Sequence, residues 1–278
     1  MNGASEHHER ESGERSSRDQ DDARSRLMSN RRARRLRRFW RMLPSAPRCK
    51  WCTSPFGPPI GPVLRLIGKG RWPGNPAYCS GCFRYLYTHR EGAEVECTLF
   101  FADVRGSTGL AESMSANEYR GLMDRFYVTA ADILVRREAV VDKFVGDEVV
   151  AIFVPSLAGG DHARQAIEAG LDLLRATGHA RERPWIPVGI GVNTGIAYVG
   201  AVGTAEHVEF TALGDAVNVT ARLASAAGEG ELLVTESAAQ SARYPDDGLD
   251  RRVLELRGKS VGTDVVVITL EHAPVPTS

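Results

Sequence analysis

Two aspartates in the chain stand where a carboxylate can work on a cation. Asp103 closes an apolar run in FFADVRGST, and Asp147 sits at a tight Gly-Asp turn in KFVGDEVV. Taken singly, Asp103 reads as a turn or cap residue and Asp147 as an ordinary turn residue. Taken together, two carboxylates facing one space suit two Mg²⁺ ions, which want hard oxygen ligands and a phosphate to complete the shell. The residues after Asp103 point the same way. Gly106, Ser107 and Thr108 make a short loop whose backbone N–H groups can cradle a polyphosphate. It is not a Walker loop, because no GxxxxGK[ST] is present, and no strand–GxGxxG–helix unit marks a dinucleotide site.

A second cation site is written in sulfur. CKWC (Cys49, Cys52) and CSGC (Cys79, Cys82) flank 26 residues rich in Pro and Gly. Four thiolates suit tetrahedral Zn²⁺, and each CxxC loop turns two sulfurs toward one ion. The spacing exceeds the ~15–20 residues usual for a ribbon-type site. Four unligated thiols or two redox pairs are the alternatives. Structural zinc is preferred, because so short a segment has little core of its own and needs a staple. Cys97, in the strand-like EVECTLFFADV, reads as a buried core thiol.

A third cluster lies in FTALGDAVNVTARL. Asn218 and Arg222 are four apart and share one face of a helix. A solvated face is the plain alternative, but Val217, Val219 and Leu223 beside them describe a packed helix. Asp215, after Gly214, reads as the helix N-cap. Lys143 lies in a strand between apolar residues. An edge-strand gatekeeper is the alternative to a binding role.

These residues need elements to position them. VECTLFFADV reads as a buried strand. Ser115 with Glu118 forms a capping box, and the helix it opens carries a 3.6-residue stripe from Tyr119 to Leu134. AVVDKF and EVVAIFV form a hairpin over 145–147. DHARQAIEAGLDLLRATG is a second amphipathic helix, and PVGIGVNTGIAYVGAVG reads as strand, turn, strand. GDAVNVTARLASAAG is a helix, followed by a strand, a short helix and a terminal hairpin. The order β-α-β-β-α-β makes an α+β, ferredoxin-like core with appended C-terminal elements.

The remaining third is of another kind. Residues 1 to about 30 lack aromatics and are expected to be disordered. Residues 31–41 then hold seven arginines in eleven positions. They read as a solvated tail or basic helix, or more sharply as a contact for an anionic surface or nucleic acid, although no reader motif accompanies them. The expected organisation is a disordered, Arg-rich arm over 1–47, a four-Cys segment and linker over 48–93, a catalytic domain over 94–272 and a tail over 273–278. Of the 278 residues, 25% are charged and 42% apolar, and the net charge is zero, as in an ordinary soluble protein. No apolar run reaches the ~20 residues of a membrane span, and the first residues are too polar for a signal peptide, so a cytoplasmic location is expected.

Together the motifs FFADVRGST, DKFVGDEVVAIF, GIGVNTGIAYVGAVG, FTALGDAVNVTARL and LRGKSVGTDVVVI resemble, in that order, the class III nucleotidyl cyclase catalytic domain. The resemblance covers about Val95 to Leu270. It implies that a nucleoside triphosphate is closed by its own 3′-hydroxyl to a 3′,5′-cyclic nucleotide and pyrophosphate. By matched position Asp103, Val104 (through its carbonyl) and Asp147 would hold two Mg²⁺ or Mn²⁺ ions. Lys143 and Thr211 would read the purine, Asn218 would orient the ribose, and Arg222 would stabilise charge at the α-phosphate. Gly106, Ser107, Thr108 and Lys259 would hold phosphates, with Arg257 a rival to Lys259. The resemblance further implies a homodimer, with the metal acids of one chain meeting the Asn and Arg of another. Lys143 opposes guanine, whose N1–H is also a donor, so ATP is the expected substrate and cyclic AMP the product. A catalytically silent nucleotide sensor or dimerisation module, and a guanylate cyclase, are the alternatives.

Overall fold

A computed structural model describes residues 20–43, 47–73, 75–89, 91–181, 183–204, 208–245, 248–255 and 262–272. The chain divides into two compact units, Met1–Val95 with Ala197–Ala212, and Glu96–Ile196 with Leu213–Ser278.

The first unit begins with helices α1 (20–28) and α2 (Arg31–Met42), where disorder is expected from the polar composition. The Asn30 side chain caps α2 by accepting from the Ala33 N–H. Arg37 is 1% exposed, and its guanidinium donates to the Trp51 carbonyl. Arg48 reaches back to the carbonyls of Trp40 at 2.8 Å and Leu43 at 2.6 Å. Composition gives no sign of these bonds, because an arginine that satisfies buried carbonyls looks the same in sequence as one in water. Residues 1–19 and 44–46 lie outside the described residues. Next come α3 (Gly61–Leu66), β1 (Arg71–Trp72), β2 (Asn75–Cys79) and α4 (Ser80–Thr88), with β1 and β2 antiparallel.

The long strand β3 (Ala93–Val104) runs from the end of the first unit into the second. After it come α5 (Ser107–Ser113), α6 (Ala116–Arg136), β4 (Val140–Val145), β5 (Glu148–Phe153), α7 (Pro155–Ala158), α8 (His162–Thr177), β6 (Val188–Gly203) and β7 (Val208–Leu213). The chain closes with α9 (Asp215–Ala226), β8 (Leu232–Thr235), α10 (Glu236–Ala242), β9 (Asp250–Leu254) and β10 (Thr263–Ile268). The sheet order is β4-β5-β3-β6-β8-β10-β9, with β7 paired to β6. Its first four strands, with α6 and α8 as crossovers, are the expected ferredoxin-like core, and β8, β10 and β9 are the appended elements.

Alternation in β3 explains how both sheet faces are filled. Phe100 joins a core with Phe126 and Leu134 of α6, Phe153 of β5, and Ile167 and Leu174 of α8. Phe101 faces the other way and packs with Val150 and Ala224, where Val217 and Ala221 of α9 cover it. Burying each such aromatic contributes roughly 1.5–3 kcal/mol before ordering costs. The Ser115–Glu118 capping box forms as expected and fixes the start of α6.

Two local expectations are corrected. Residues 188–203 form one strand, with no turn at Asn193-Thr194-Gly195. The polar side chains that resemble turn residues are instead bonded across the fold. Asn193 donates to the Ala216 carbonyl at 3.1 Å and accepts from Thr235, and Thr194 meets Thr98 at 2.7 Å. Gly214, at φ 129°, is the N-cap of α9, which makes Asp215 its first helical residue rather than its cap. Only glycine holds that φ without strain, so the cap position went to the backbone rather than to the acid.

In the first unit, Gly92 and Gly200 meet with almost no space between them. A Cβ on Gly200 would lie 2.5 Å from the Gly92 Cα, and one on Gly92 would lie 2.4 Å from the Tyr198 ring. The Tyr198 hydroxyl accepts from the Gly92 N–H at 3.0 Å.

Candidate functional site

Strand pairing brings the two aspartate tips together. Asp103, one residue before the end of β3, pairs with Glu148, the first residue of β5. One step on, the Val104 N–H donates to the Asp147 carbonyl at 3.2 Å. Asp147 follows Gly146, whose φ of 60° closes the β4–β5 turn. The Tyr127 hydroxyl of α6 donates to the Gly146 carbonyl and ties the tip to the helix.

Arg105, to which the sequence alone assigns no role, occupies this corner. Its guanidinium pairs with the Asp103 carboxylate and donates to the carbonyls of Ser225 at 2.9 Å and Ala227 at 3.4 Å, at the end of α9. The one sign in the sequence was a cation two residues from the acid. Burial raises the Glu148 carboxyl above its usual range, and the neighbouring Asp147 charge adds to this while Arg105 opposes it. Burial lowers the Arg105 guanidinium below its usual value, with Asp147 and Glu148 opposing. Three carboxylates thus gather around one positive group. The oxygens of Asp103, Asp147 and the Val104 carbonyl are hard donors of the kind that Mg²⁺ or Mn²⁺ takes.

The loop after Asp103 turns through Gly106 at φ 66° into α5, which begins at Ser107 and Thr108. Lys143 lies on β4 just past a register irregularity at Val141/Lys143, with its ammonium 3.7 Å from the Asp142 carboxylate. The irregularity turns Asp142 inward and leaves Lys143 exposed. On α9, Asn218 is exposed and Arg222 half-buried. Among the described residues neither side chain has a hydrogen-bond or ion-pair partner. Arg105 links the end of that helix to the acid corner within the second unit. Thr211 is buried on β7 and belongs to the first unit. Lys259 and Arg257 lie outside the described residues.

The four-cysteine cluster assembles in the first unit. The Sγ atoms of Cys49, Cys52, Cys79 and Cys82 lie within 4.8 Å of one another, and Cys52 and Cys79 are 3.7 Å apart. A tetrahedral ion with ~2.3 Å bonds sets sulfurs roughly 3.8 Å apart, the Cys52–Cys79 separation, so the four donors are gathered closely enough to take zinc. The Cys79 N–H donates to the Cys49 sulfur at 3.2 Å and the Cys82 N–H to the Cys79 sulfur at 3.4 Å, the backbone bonds that steady thiolate ligands. Contact with Cys49 lowers the Cys52 thiol to about 6 and lowers Cys79 as well, while contacts with Cys52 and Cys49 raise Cys49 and Cys82 respectively. Cys97 is fully buried and pushed up to about 12 by burial, which is consistent with an inert core thiol.

No described helix is long and apolar enough to cross a membrane. Residues 90–268 match the family model described as the adenylate and guanylate cyclase catalytic domain. The chain is 26% identical over 181 residues to the adenylate cyclase of Anabaena cylindrica, covering 63% of this chain and 36% of that one. It is 29% identical over 134 residues to adenylate cyclase 1 of Rhizobium meliloti, covering 46% of this chain and 20% of that one. The chain therefore spans about a third or less of the length of these curated relatives. Among solved structures, the adenylyl cyclase CyaB from P. aeruginosa superposes with a TM-score of 0.57 at 26% identity, over 66% of this chain and all of that one. The guanylyl cyclase Cya2 also has a TM-score of 0.57, at 23% identity, over 63% of this chain and 92% of that one, a likeness of fold.

Proposed function

Because the chain belongs to the adenylate and guanylate cyclase catalytic domain family, we propose that it converts ATP to 3′,5′-cyclic AMP and pyrophosphate. The observation that carries this reading is the corner where the end of β3 meets the β4–β5 tip, with Asp103 and Asp147 on adjoining turns. Asp103, Asp147 and the Val104 carbonyl would hold two divalent cations. Bound there, such ions lower the pKa of the 3′-hydroxyl and offset phosphate charge. The 3′-hydroxyl gives up its proton to solvent, its oxygen bonds to the α-phosphorus as the bond from that phosphorus to the bridging β-phosphate oxygen breaks, and pyrophosphate leaves.

The remaining residues bind and orient. Gly106, Ser107, Thr108 and Lys259 hold the phosphates, Asn218 fixes the ribose, and the planar Arg222 fork meets charge growing at the α-phosphate. Lys143 donates to adenine N1, and the Thr211 hydroxyl accepts from the exocyclic amine. The unpartnered Asn218 and Arg222 side chains support a site completed by a second copy, so the active species is a homodimer. The four thiolates hold a structural Zn²⁺.

Side-by-side turnover of ATP and GTP with Mg²⁺ and Mn²⁺, read by mass of product, tests the reaction and the base. Cyclic AMP should exceed cyclic GMP. A GTP rate equal to or above that of ATP would reverse the purine assignment, and no product from either would leave the silent-sensor alternative. Sedimentation of the active species tests the assembly, since full turnover by a verified monomer contradicts a shared site.

A further inference from the structure

The four-cysteine site is built onto the strand that carries Thr211. Trp51, between Cys49 and Cys52, sets its ring edge-on to Phe210 with centroids 4.3 Å apart. Tyr78, immediately before Cys79, is 1% exposed, and its hydroxyl accepts from the Phe210 N–H at 3.3 Å. Asn75, earlier on β2, donates to the Val208 carbonyl at 3.5 Å. The first CxxC loop is also tied to β2, the strand that leads into the second, through Lys50 N–H to the Ala77 carbonyl at 2.8 Å. Trp51 from inside one CxxC loop and Tyr78 from the residue before the other thus both meet Phe210 of β7, one by its ring and one by its hydroxyl, and all of these groups lie in one unit. Phe210 and Thr211 are adjacent on a strand, so their side chains leave opposite faces. Whatever fixes Phe210 fixes the face and height of Thr211.

We propose that a Zn²⁺ ion held by Cys49, Cys52, Cys79 and Cys82 braces β7, so that metal occupancy sets how tightly and selectively the purine is bound. The purine half of this statement rests on the cyclase reading of Thr211, whereas the brace does not. With the ion in place, both loops are closed and Trp51 and Tyr78 are held against Phe210. Without it, four buried thiols lose the charge that gathers them, the loops open, and β7 loses its cover on one face.

The test uses the full chain in three forms: as purified under reducing conditions, stripped by a thiol-compatible zinc chelator, and as the Trp51→Ala variant, which keeps all four cysteines. Zinc content, hydrogen exchange at 208–212 and 148–153, and KM and kcat for ATP and GTP are measured on each. The starting protein should hold about one zinc per chain, as four thiolates require. Stripping should speed exchange at 208–212 by tenfold or more while 148–153 stays protected. KM for ATP should rise by roughly tenfold with a smaller change in kcat, the signature of lost ground-state binding, and the preference for ATP over GTP should narrow. Trp51→Ala should retain zinc and move the same readouts in the same direction by less.

A folded, reduced protein without zinc overturns the metal assignment. Unchanged exchange at 208–212 after stripping overturns the brace, as does unchanged exchange in zinc-loaded Trp51→Ala. If stripping also exposes 148–153, the variant decides. If zinc-loaded protein makes no cyclic nucleotide, the cyclase reading has failed, and exchange alone then judges the brace.

Discussion

The acid corner and the cysteine cluster are two answers to the problem of holding a cation. At the corner, oxygen donors sit on turn tips, half-exposed, with Arg105 lying against Asp103. In the cluster, four sulfurs are buried or nearly so and already spaced for one tetrahedral ion. On the proposed reading, the first arrangement would take water and phosphate oxygens to complete its shell, and a cation would displace the Arg105 guanidinium from Asp103 on entering. The second leaves no open position. An open, charge-frustrated site suits ions that come and go with a substrate, and a closed soft site suits an ion that is part of the fold.

The largest expected effect separates these two directly. Desalting into metal-free buffer should abolish cyclic nucleotide formation, with full recovery on adding Mn²⁺, while zinc content by elemental analysis stays near one per chain. Loss of zinc in the same step would erase the distinction. Next, Asp103→Ala or Asp147→Ala should lower kcat by on the order of 10³-fold, as when a group acting on developing charge is removed. Circular dichroism melting should still show a cooperative fold, and wild-type activity in both variants would dismiss the corner as the active site.

A smaller change should sharpen the account of Arg105. Arg105→Gln should lower the Mn²⁺ concentration for half-maximal activity by several fold, because the competing charge on Asp103 is gone. It should also cost about 1 kcal/mol for each lost bond to the Ser225 and Ala227 carbonyls, read in a urea titration. An unchanged metal requirement means that the guanidinium does not compete.

The smallest effect lies away from both sites. Burial lowers the pKa of His162, outweighing the nearby Glu96 and Asp161 charges, and its ring bonds to Thr98 at 2.8 Å. The unfolded chain then binds the proton more readily than the folded one below the ordinary value of about 6.5, so stability falls as pH drops through that range. The melting temperature should decline from pH 7.5 to 5.5, by roughly 2–4 °C for each ~1 kcal/mol lost, and less so in His162→Asn. His179, lowered by burial in the same way, should retain part of the slope.

Much of the second unit was legible in the sequence because its periods are clean. The stripe on α6, the capping box at Ser115 and the Gly-Asp turn between β4 and β5 are all local signals, and each of these elements forms. The rest is settled by partners distant in sequence. Asn193-Thr194-Gly195 looks like a turn until Ala216, Thr235 and Thr98 supply its hydrogen bonds. Arg37 looks solvated until the Trp51 carbonyl is placed over it. Arg105 looked like one more loop residue, since nothing local shows that Ser225 and Ala227 lie beside it. The aspartates of the candidate site could be read because turn chemistry is local. The link from the cysteines to β7 could not, because Tyr78 and Phe210 are 132 residues apart.

The contact between Gly92 and Gly200 bears on how a mutational scan of this protein would read. Neither residue offers a functional group, yet any side chain at either position would push one backbone off the other. In a library selected for activity, both positions should come back as intolerant as Asp103 and Asp147. Invariance in such data would not by itself separate chemistry from fit, and the two classes would part only when folded yield is scored alongside turnover.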